Sequence, residues 1–279
     1  MRFSTLALAL AVATALAPPL LAAPAPGDIA DLTEPVSGAS GKTALDLLRQ
    51  LFADIEARTD SRRIGSATQM IDLRSIGAAD DSWIGCRDRI DIEYAHAHPL
   101  QLAGQRRIVV VVALADECAA PLAMFDGDGR LVDAVNLRGD QHLSFSGDYI
   151  RPLGSAGALV IGHNWHDNSN QSYDLDSLIL AKPSGFSVIG DVFAFGSRDC
   201  QGQFTEDAKI STIPAKPMAR IEIAIKREAR KFATDCATRI GRKVATTFNG
   251  SWRWNARKGA YEPQTRELDL LADWNQKHF

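Results

Sequence analysis

Two short apolar runs, Pro121 to Phe125 and Leu131 to Val135, flank the tetrad Asp126-Gly127-Asp128-Gly129. Glycine adopts positive φ without a steric penalty, and aspartate accepts from nearby backbone N–H groups. The tetrad is therefore a turn, and the flanking runs are the two strands of a hairpin. The plan recurs. Leu178 to Leu180 and Phe186 to Phe195 flank Lys182-Pro183-Ser184-Gly185, and Val244 to Trp254 turns at Arg257-Lys258-Gly259 and returns through Tyr261. Between these hairpins the apolar period is two. Ile90, Ile92 and Tyr94 alternate with Arg89, Asp91 and Glu93, and Ile221, Ile223 and Ile225 alternate with Glu222 and Lys226. Such alternation predicts strands buried on one face. Ile108 to Leu114 is a continuous, mostly β-branched run and predicts a strand buried on both faces. Ala158 to Gly162 predicts a further buried strand.

The period changes to three and four near each end. Leu45, Leu48, Leu51 and Ile55 predict a helix over 42–58. Leu268, Leu271 and Trp274 predict another over 265–277, with Thr265 as N-cap. The expected fold is β-rich (α+β). Its antiparallel hairpins form a sandwich, an open sheet or a propeller-like arrangement, with one helix near each end of the mature chain. The hairpin tips near 127, 184 and 258 are unequally spaced, so no repeat is established, and three blades would not close a ring.

The N-terminus has the order of a secretory signal: Arg2, an apolar stretch from Leu6 to Leu16, then small residues at Ala22 and Ala23. Pro18 and Pro19 interrupt the run before the roughly 20 apolar residues a membrane span needs. We expect a signal peptide over 1–22, a Pro/Ala/Gly/Ser-rich flexible leader over 23–41, and a single β-rich globular domain over 42–279. The location is then periplasmic or secreted, with no transmembrane span after cleavage. The four cysteines, Cys86, Cys118, Cys200 and Cys236, suit two disulfides in such a compartment. Pairing Cys86 with Cys118 and Cys200 with Cys236 closes two local loops.

Several motifs resolve to structure rather than chemistry. Ser40-Gly41-Lys42-Thr43 carries the last residues of a phosphate loop, but Val36 stands where its first glycine belongs. Asp126-Gly127-Asp128-Gly129 begins like a calcium loop, but Arg130 and Leu137 occupy ligand positions. No G-x-S-x-G nucleophile elbow is present. The densest set of chemically capable side chains is the stretch from His163 to Tyr173, which includes His166 and leaves the strand 158–162. On a loop, His163 and His166 can turn toward one metal. His142 and Asp140 would complete the set, and the His96/His98 pair shares one strand face. No cofactor is expected unless this set holds a divalent metal.

Net charge is −3, which argues against a nucleic-acid partner. Nine Lys/Arg against three Asp/Glu nevertheless fall in 216–243. Lys226, Arg227, Arg230 and Lys231 in that segment are expected to bind an anionic envelope component. The reading is an exported, non-catalytic binding or envelope-associated module. The alternative is a metal-dependent hydrolase with a His163/His166 loop site.

Overall fold

A computed structural model describes residues 27–60, 63–76, 89–115, 119–137, 142–145 and 149–277. The chain folds into two sheets. The first contains β1 (Gly27–Ile29), β2 (Glu56–Asp60), β3 (Arg63–Ala67), β4 (Arg74–Ile76), β5 (Ile90–Leu102), β6 (Gln105–Leu114), β7 (Ala120–Asp126) and β8 (Leu131–Leu137). Its order is β2-β3-β5-β6-β7-β8-β4, with β1 also paired to β5. The second contains β9 (His142–Ser144), β10 (Ile150–Gly154), β11 (Gly157–Asp167), β12 (Gln171–Lys182), β13 (Gly185–Arg198), β14 (Gly202–Ile213), β15 (Arg220–Phe232), β16 (Arg239–Asn255) and β17 (Ala260–Pro263). These run in sequence order from β10 to β17, with β9 also paired to β11. Pairing is antiparallel throughout except for β4 beside β8. The three expected hairpins are present as β7/β8, β12/β13 and β16/β17. They are shared between two sheets, giving a sandwich.

The first sheet is covered on both faces, as the run from Ile108 requires. Ile108, Val110 and Val112 face one core with Ala123 and Phe125. Val109 and Val111 face the other with Leu122 and Met124. The first core is closed by α1 (Ala44–Leu48) and the residues around it, including Leu47, Leu48, Leu51 and Phe52. The second core joins the two sheets through Leu137, Ile161, Leu178 and Phe186. Gly162 permits this approach, because a Cβ there would lie 2.4 Å from Leu137 Cδ1.

Three expectations need correction. The helix expected over 42–58 is only Ala44–Leu48. Thr43 and Asp46 form a reciprocal capping box at its start. Asp54 then accepts from Thr68 N at 2.9 Å and Gln69 N at 3.1 Å, holding the segment against the end of β3 instead of continuing the helix. The C-terminal helix α2 (Glu267–Gln276) follows Arg266, and Thr265 donates to Asn249 O at 3.5 Å instead of capping it. Part of the expected leader is core: β1 pairs with β5, and Leu32, Val36 and Ala39 are buried. Residues 1–26, with the expected signal peptide, lie outside the described residues.

The second sheet divides at one corner. β13 and β14 pair only through Ser197 with Phe204 and Arg198 with Gln203. Beyond this, Glu206 occupies the parting. Its Oε2 accepts from Phe195 N at 3.0 Å, where a ladder bond would otherwise continue. The same atom accepts from Asn275 Nδ2 at 2.7 Å, and Oε1 accepts from Arg227 Nε at 2.7 Å. Arg227 Nη2 also donates to Asn275 Oδ1 at 2.9 Å. Its guanidinium stacks over Trp274, 4.2 Å from the ring centroid. One buried carboxylate thus ties β13, β14, β15 and α2.

Candidate functional site

The stretch from His163 to Tyr173, expected as a loop, is mostly strand. β11 and β12 pair without interruption from Ala158/Ala181 to Asp167/Ser172, leaving a short turn at 168–170. Side chains three apart on a strand face opposite ways, so His163 and His166 do not share a site. His163 Nδ1 lies 2.7 Å from Asp176 Oδ1, and its Nε2 lies 3.5 Å from Asp174 Oδ1. The hydrogen bond to Asp176 raises its pKa against the opposing effect of burial, while burial raises that of Asp174. His166 stacks on Tyr173, and His142 stacks on Trp165 with centroids 4.0 Å apart. Asp140 lies outside the described residues. Among the described residues, no three His, Cys, Asp or Glu side chains are grouped to hold a metal ion. The strand was legible after all in the alternation of Tyr173 and Leu175 with Asp174 and Asp176.

The other histidine pair is set by a bulge. The register of β5 against β6 shifts between Ile92 and Tyr94. Ile90 and Ile92 therefore share the α1 core with Ala95 and Ala97. Tyr94, His96 and His98 are re-aimed to the opposite face, rather than joining Ile92 as simple alternation implies. His98 Nε2 lies 2.5 Å from Tyr149 Oη, and His96 Nδ1 lies 2.6 Å from Asp28 Oδ1 on β1. Burial, reinforced by His96, lowers the His98 pKa to about 4. Burial also drives the Tyr149 pKa upward. The neutral imidazole accepts while the phenol donates. Tyr149 and Asp28 carry no local sequence signal that links them to this strand.

A pH dependence follows. His98 is harder to protonate folded, at about 4, than unfolded, near 6.5. Its contribution to stability is full above the unfolded value and is lost as pH falls toward the folded one. Discounted for its partial exposure, the loss is about 1–2 kcal/mol. His163 acts in the opposite sense, because its folded pKa is raised. Urea denaturation between pH 7.5 and 4.5 should therefore show a steeper decline for wild type than for His98→Gln. Parallel curves would refute this role.

The basic segment divides in two. Arg227, expected to bind anions, is instead committed to Glu206, and its side chain is 18% exposed. Lys226 pairs with Glu228 at 2.7 Å, and Glu228 also binds Lys243. Hydrogen bonds from these two lysines, with the larger effect from Lys226, hold the Glu228 pKa at about 2. Arg230 and Lys231, with Arg239 and Arg242 on β16, are exposed and have no ion-pair partner among the described residues. They cluster where β15 turns into β16, and the disulfide Cys200–Cys236 fastens that turn to the one between β13 and β14. The candidate site is this cationic end. Arg239 and Arg242 belong to it because β16 folds back beside β15, so only the hairpin register could add them. The expected Cys86–Cys118 bridge lies outside the described residues. No described helix is long and apolar enough to cross a membrane. Comparison with known protein families, curated proteins and solved structures returns no match.

Proposed function

We propose that the protein is an exported, non-catalytic binding module that holds an anionic component of the cell envelope at its cationic end. The observation that carries this reading is the exposed group Arg230, Lys231, Arg239 and Arg242, which has no carboxylate partner among the described residues. Each cation near an anionic lipid surface contributes about 1 kcal/mol, so four acting together suffice for reversible association. The disulfide Cys200–Cys236 at the same end supports an oxidising location, periplasmic or secreted. Residues 1–22 supply the expected export signal.

Vesicles containing phosphatidylglycerol test the reading. Binding at low salt should weaken steeply as ionic strength rises, because exposed charges are screened within about 8 Å under physiological conditions. Exchanging Arg230, Lys231, Arg239 and Arg242 together for Gln should abolish it. Arg227 is left in place because its change would disturb the fold. Absence of binding at low salt, or binding insensitive to salt, overturns the proposal.

A further inference from the structure

We infer that a second, independent site takes a small carboxylate carried on a single ring, in a cavity where the β14–β15 connection meets β16. The cavity has a volume of about 290 Å³ and is lined by Lys216, Arg220, Arg253, Trp254, Ile213 and Met218 among others. Three cations and no carboxylate contribute to its wall. Lys216 and Arg253 are exposed and have no ion-pair partner among the described residues.

Arg220 adds the observation that points to a ligand. Glu222 engages its Nη2 at 2.5 Å, but its Nε is buried without a hydrogen-bond partner. That nitrogen is closed to solvent, but the Arg220 side chain is 36% exposed and lines the cavity, so a carboxylate there would add a charge-assisted partner to the guanidinium. The lining also includes the apolar side chains of Ile213, Met218 and Trp254, and Trp254 is held in place. Trp254 meets Tyr261 edge-on with centroids 5.5 Å apart, and the Tyr261 hydroxyl donates to Ala219 O at 2.7 Å. Tyr261 is buried, so the indole rests on a fixed support. A flat ring can lie against Trp254 while its carboxylate meets the cations. The volume is at the small end of ligand sites, which limits the occupant to about one ring. A sugar acid and an aromatic acid share this chemistry.

Calorimetric titration of the full disulfide-bonded protein distinguishes them. The probes are D-glucuronate and benzoate, with D-glucose and benzamide as neutral counterparts. At least one acid should bind about tenfold or more tightly than its counterpart, as expected for charge-assisted contacts. Binding of glucuronate alone assigns a sugar acid, and binding of benzoate alone assigns an aromatic acid. Lys216→Gln and Arg253→Gln, both at exposed positions, should each weaken binding by about tenfold. Exchanging Arg230, Lys231 and Arg239 for Gln should leave it unchanged, which separates this site from the envelope-binding end. The inference is overturned if neither acid binds, if the neutral compounds bind equally, or if only the variants at the other end lose binding.

Discussion

Glu206→Ala is expected to cost the fold about 3–5 kcal/mol, the range for removing one partner from a buried ion pair. The Glu206 side chain is fully buried and accepts from Phe195 N, Asn275 Nδ2 and the Arg227 guanidinium. Alanine leaves all of these donors without their acceptor, and one belongs to a charged group. It also opens the corner where β13 and β14 stop pairing. The measurement is equilibrium urea unfolding at neutral pH. A loss below about 1 kcal/mol would show that water replaces the carboxylate, and the tie would then be incidental. Joint replacement by Glu206→Leu and Arg227→Met removes both charges. It should recover part of the loss, because a buried pair is worth much less against an apolar substitute than against a half-broken pair. Asn275→Ala, combined with Glu206→Ala in a double-mutant cycle, should show non-additivity, since both side chains serve one network.

Exchanging Cys200 and Cys236 together for Ser is expected to cost about 3–4 kcal/mol. The bridge spans a sequence separation of 36, and the chain-entropy model gives that range for such a loop. The other native contacts nearby are noncovalent. Phe232 N donates to Gln201 O at 3.0 Å, Ala233 N donates to Thr238 O at 2.8 Å, and Arg198 lies over the Phe232 ring. They hold the turn once it is formed but do not restrict the unfolded chain. Urea unfolding of the double-Ser variant reads the global cost. Hydrogen exchange read on the amides of 233–243 should accelerate most, because only the bridge joins the two turns covalently. Unchanged stability would mean that the neighbouring hydrogen bonds alone restrain this end. Weaker vesicle binding by the same variant would follow if the bridge also positions Arg230 and Arg239.

Local chemistry determined the strands and their turns. Asp126 accepts from Asp128 N and Arg130 N, and Gly129 takes φ of 77°, so the β7/β8 turn is written within a few residues. Alternation marked Ile221, Ile223 and Ile225 as the inner face of β15, and the unbroken run from Ile108 marked a strand covered twice. The Cys200–Cys236 pairing was legible from loop length and parity alone. Tertiary structure decided what these elements meet. The helical spacing of Leu45 to Ile55 records which side chains turn inward, and a short helix followed by turns buries the same ones. A bulge near Ile92 moved His96 and His98 to the other face, because one extra residue inverts a period of two. Strand register separated His163 from His166. Arg227 reads in sequence as one cation among nine, yet it lies opposite Glu206 on the neighbouring strand. Burial and pairing across space, which no local pattern encodes, made it part of the core and left Arg230 and Lys231 to face solvent.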